Sequence, residues 1–69
     1  VNNKPVKKYR RFGRDLRLAR NNCKMTQACF CEDVGIDTRT LYRWEHGISY
    51  PMPIYRNSIL KIFPDLGKI

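Results

Sequence analysis

Thr38, Arg39, Tyr42, Arg43 and His46 stand close together, at intervals of one, three and four. On a helix such intervals gather side chains on one outward face. Their shared chemistry is recognition by hydrogen bonding. Each arginine presents a planar fork of donors that matches guanine O6 and N7 or a phosphate, and a threonine methyl can meet a thymine methyl. Catalysis is not expected. His46, the one histidine, has no acid partner at a readable spacing, and no phosphate-cradling glycine motif occurs. The reading is therefore of a chain that is no enzyme and takes no cofactor. Cys23, Cys29 and Cys31 make an odd set, which argues against a disulfide framework and for a reducing cytosol. Zinc sites show paired ligands, whereas Cys29 and Cys31 lie two apart in a helical pattern and point to different faces. No metal site is expected; Cys31 is read as a small buried hydrophobe.

Charge adds a second line. The 69 residues carry a formal charge of +8. Residues 1–24 hold Lys4, Lys7, Lys8, Arg10, Arg11, Arg14, Arg17, Arg20 and Lys24 against Asp15 alone, while basic and acidic groups balance in residues 25–69. A field concentrated at one end favours a polyanion, either nucleic acid or an anionic membrane surface. Membrane binding is the weaker reading, because Phe12, Leu16 and Ala19 are needed for a core. No apolar run approaches the ~20 residues of a membrane-spanning helix, and no signal-peptide pattern is present.

Four helical segments must position these groups. Residues 1–8 read as a flexible basic arm and 9–66 as one all-α domain. Phe12, Leu16, Ala19 and Cys23 form one stripe, predicting a helix over about 9–22. Thr26 is a good N-cap for a second, short helix with Phe30, Cys31 and Val34 inward, and Gly35 stops it. Asp37 caps a third helix over about 38–46, with Leu41 and Trp44 inward, and Gly47 ends it in the same manner. Pro51 and Pro53 stiffen the connector. Tyr55, Ile59, Ile62, Phe63 and Leu66 then recur at helical spacing, predicting a fourth helix over about 54–63 that Pro64 ends.

Two short helices joined by a tight glycine turn, the second with a polar outer face, have the parts of a helix-turn-helix. The segment RNNCKMTQACFCEDVGIDTRTLYRWEHGISYP (Arg20–Pro51) resembles that motif in phage repressors and Cro proteins. Arg20, Met25, Thr26, Gln27, Phe30, Val34, Gly35, Ile36, Leu41, Trp44, Glu45, Gly47 and Pro51 fall in register with the family pattern. Departures are Cys31, Trp44 and the paired prolines Pro51 and Pro53, which bear on the start of the fourth helix. The resemblance implies a lambda repressor-like bundle of four to five helices that binds double-stranded DNA, acts in transcription regulation and works in a bacterial or phage-type cytoplasm. It implies base contacts by Thr38, Arg39, Tyr42 and Arg43. Backbone contacts fall to Lys24, Thr26, Gln27 and His46, with Lys7, Lys8, Arg10 and Arg11 from the basic end. Tyr42 is open between stacking in the groove and tucking against the second helix. Arg20 and Glu45 resemble the family's structural ion pair. A homodimer on a pseudo-palindromic site is a further expectation, since one such domain contacts few bases. The alternative is an interaction module of the same fold that docks on another regulator; Arg39 and Arg43 favour DNA.

Overall fold

The computed structural model describes residues 7–68, with α1 over Lys7–Asn22, α2 over Gln27–Val34, α3 over Thr38–Glu45 and α4 over Pro53–Ile62, followed by a 3-10 helix over Pro64–Lys68. The described residues contain no strand. Leu16, Phe30, Leu41 and Ile59 are fully buried, one from each α-helix. Burying a side chain of this kind contributes roughly 1.5–3 kcal/mol. Cys31, Val34, Trp44, Phe63 and Leu66 complete the core, with Phe12, Ala19, Met25 and Ile36 half-buried against it. The Phe30 and Phe63 rings stack with centroids 6.0 Å apart, joining α2 to the end of α4.

Helix ends follow the local residues. The Thr26 hydroxyl accepts a 3.0 Å hydrogen bond from the Cys29 N–H, and Asp37 Oδ1 accepts one of 2.8 Å from the Thr40 N–H. Each fills a backbone donor that a helix start leaves without an internal partner. Gly35 takes φ 85°, and its N–H donates to the Cys31 carbonyl at 2.8 Å. That left-handed turn is cheap only without a Cβ. α1 closes through Lys24 instead, which holds φ 55° although it is not glycine.

Several sequence expectations need correction. α1 starts at Lys7, so Lys7 and Lys8 belong to its first turn and not to an arm. Lys4 and the rest of residues 1–6 lie outside the described residues. Cys23 is exposed, because α1 ends at Asn22 and the Lys24 turn takes the chain off the apolar stripe. α3 ends at Glu45 with His46 as its C-cap. α4 starts at Pro53, whose fixed φ and missing N–H suit a first helical position. Leu66 reaches the core from the 3-10 turn and not from α4.

A tight seam lies between α1 and the end of α3. A Cβ on Gly13 would collide with the Trp44 carbonyl oxygen and stand 2.8 Å from that of Glu45. Gly47, at φ 73°, abuts the Arg10 backbone from the other side. The sequence reading does not single out Gly13. Here it is the condition for the two helices to touch.

Candidate nucleic-acid interface

α3 is held from inside and open outside. Leu41 and Trp44 are buried, whereas Thr38, Arg39, Tyr42, Arg43 and His46 are exposed. The apolar positions decide this: three residues apart, they turn one side of the helix inward and leave the polar set no other place. The Tyr42 ring is half-exposed and stacks on the His46 ring with centroids 3.9 Å apart. His46 Nδ1 lies 2.9 Å from the Tyr42 carbonyl. A carbonyl only accepts, so the proton of that contact sits on Nδ1.

The α2–α3 turn is three residues long, Gly35 to Asp37. Its geometry rests on Gly35 and on the Asp37 cap. Hydrogen bonds from the Thr40 side chain and then its N–H hold the Asp37 carboxyl below the usual carboxylate range. Ile36 is half-buried against the core and pins the turn.

A buried ion pair fixes the far end of α3. Arg20 Nε donates to Glu45 Oε2 at 2.8 Å, Nη2 to Oε1 at 3.4 Å, and Nη1 to the Met25 carbonyl at 2.9 Å. Arg20 is 8% exposed and Glu45 7%. One guanidinium thus joins α1, the α1–α2 connector and the end of α3. Such a fork suits Arg and not Lys.

Lys24, Thr26 and Gln27 are all exposed at the entrance to α2. The Thr26 oxygen already accepts as the cap, which leaves its O–H free to donate. Lys7, Arg10 and Arg11 line a cleft of about 680 Å³ together with Arg14, Arg17, Glu45 and His46. Arg14 and Arg17 are additions to the residues read from sequence as candidate contacts. Their signal was the 7, 10, 14, 17 spacing, one face of a helix. Lys8 lines a separate hollow of about 500 Å³ with Lys7, Arg11, Phe12, Tyr50 and Leu66. The expected base-contact set is therefore gathered on α3. The expected backbone set is divided between the approach to α2, the first five residues of α1 and the C-cap of α3 at His46.

Cys31 is buried while Cys23 and Cys29 are exposed. Burial first, then the charges of Asp37 and Glu45, push the Cys31 thiol up from its ordinary value. It stays protonated and packs as an apolar side chain. Among the described residues no helix is long and apolar enough to cross a membrane. Compared with protein-family models, curated proteins and solved structures, the chain matches none of them.

Proposed function

We propose that this chain is a helix-turn-helix domain of the repressor and Cro kind, binding double-stranded DNA sequence-specifically with α3 in the major groove. The observation that carries the reading is the outer face of α3. It offers Thr38, Arg39, Tyr42, Arg43 and His46 on a helix whose inner face is buried and whose end is locked by Arg20 and Glu45. A groove about 12 Å wide admits one helix, and its base edges are read by side chains of this type. The element order, with two eight-residue helices across a three-residue turn, supports a lambda repressor-like arrangement. The exposed start of α2 at Gln27 supports a phosphate contact, because helix N-termini attract anions. The exposed thiols of Cys23 and Cys29 suit a reducing cytoplasm. Two copies on a pseudo-palindromic site would supply the contacts that one α3 lacks.

Selection from a random duplex pool, followed by titration of the enriched sequence against scrambled DNA, tests this. A defined motif bound at least 10³-fold more tightly than scrambled duplex, about the lower bound for specific binders, is expected. Failure to enrich any motif would overturn the reading.

A further inference from the structure

The cationic row of α1 works against the helix that carries it. Lys7, Lys8 and Arg10 occupy the first turn, where no acid is present and the helix dipole disfavours positive charge. Arg10 and Arg14 are like charges four apart, as are Lys7 and Arg11, and such pairs repel. Lys7, Arg10, Arg11, Arg14 and Arg17 are all exposed, so burial does not compensate them. Among the described residues Glu45 is the one acid lining their cleft, and its carboxylate is already taken by Arg20. Asp15, four residues from Arg11 on the same helix, does not line the cleft, so the row keeps a large excess of positive charge facing it.

We infer that this cleft is a phosphate-backbone track for a nucleic-acid strand, with Arg14 and Arg17 as its inner contacts. The inference deepens the DNA-binding reading and rests on it. At 1.5 Å per residue, Lys7 to Arg17 spans about 15 Å of helix axis. One strand of B-DNA rises about 3.4 Å per phosphate along the duplex axis and winds around that axis, so its successive phosphates lie farther apart than the rise and the row is long enough for about two or three. A line of guanidinium groups suits such a strand, since each fork can take two phosphate oxygens. His46 makes the track continuous with the reading face: it lines the cleft and stacks on Tyr42 of α3. The track carries charge and no base-edge chemistry, so it adds affinity without sequence preference.

The test compares the parent with Arg14→Gln/Arg17→Gln by titrating the enriched duplex over a range of salt, with selection repeated for both. Both substitutions are at exposed positions, and circular dichroism checks that the helices persist. The expected result is a log–log salt slope shallower by about 1.8, from ~0.9 per lost contact, with the preferred motif unchanged. Melting at low salt should also rise, because two repelling charges are gone. An unchanged slope with the motif kept overturns the track, leaves the DNA reading standing and turns the row toward an acidic protein partner. A parent that binds duplex without any motif, yet loses slope in the variant, overturns the reading by α3 and keeps the track. No binding of duplex by the parent overturns both.

Discussion

The guanidinium of Arg20 lies against the carboxylate of Glu45, Nε to Oε2 at 2.8 Å, across 25 positions of sequence. Both groups are buried, and Arg20 Nη1 also donates to the Met25 carbonyl. A buried pair of this kind adds little net stability, because desolvation offsets attraction. Its value lies in orientation: α3 can meet α1 at one register only if both charges are satisfied. Arg20→Ala is therefore expected to destabilise by ~3–5 kcal/mol, the usual result of stranding one buried partner. Arg20→Met/Glu45→Leu should cost clearly less than that single change. Urea unfolding of the three proteins gives the comparison. A nearly silent Arg20→Ala, or a double variant that costs as much as it, would refute the brace.

Gly13→Ala is expected to destabilise by ~1–3 kcal/mol or more, as overpacking does. Helix propensity alone argues the opposite sign, a gain of ~1 kcal/mol. The added methyl meets the Trp44 and Glu45 carbonyls, which are backbone and cannot swing aside. Thermal melting decides the sign, and a higher melting temperature would contradict the seam.

Lys24→Gly is expected to stabilise the fold by up to ~1 kcal/mol, since a left-handed conformation is costly for a residue with a Cβ. The greater freedom of glycine in the unfolded chain subtracts part of the gain. If Lys24 touches phosphate, the same variant binds duplex less tightly with an unchanged motif. Melting and titration on one sample separate the two effects.

Acid should weaken the α3 cap. Asp37 binds its proton less readily when folded than at its ordinary value of 3.8. Over that window the unfolded chain holds more protons, so stability rises with pH. The cap's contribution is complete above the ordinary value and fades as pH falls through the lower folded value. Asp37→Asn keeps a capping oxygen but does not titrate. Its melting temperature should fall less steeply than the parent's over the same acid range.

Arg43→Ala should cost ~1–3 kcal/mol at the enriched site and relax selection at one or two base pairs. Lys61→Ala is the matched control, exposed on α4 and of equal charge. Arg56 is unsuitable for that purpose. Its guanidinium lies 5.4 Å from the Tyr50 ring centroid, and its Nε is buried without a hydrogen-bond partner among the described residues. If Arg43→Ala keeps the parental motif while Lys61→Ala loses it, the wrong helix has been assigned to the groove.

Local chemistry by itself determined much of this protein. The caps at Thr26 and Asp37, the stop at Gly35 and the inward positions of α2 and α3 depend on neighbours within four residues. Periodicity and residue type therefore reveal them, and with them the outward face of α3. Even Arg20 and Glu45 were visible, though only through resemblance, since no spacing rule joins positions 25 apart. Other features are decided between helices. That Gly13 must lack a side chain follows from how closely the end of α3 approaches α1, a distance no local pattern encodes. Cys23 continues the α1 stripe in sequence, yet α1 ends before it and the Lys24 turn leaves it in water. Lys7 and Lys8, read as an arm, are helix because Phe12 and Leu16 hold α1 to the core, Gly13 seats it against the end of α3, and the helix propagates back from them. Arg14 and Arg17 were bulk charge in the sequence. Only the packing of α1 beside His46 and Glu45 made them the inner wall of a cleft, because a charged row acquires a place to act only when another element closes its other side.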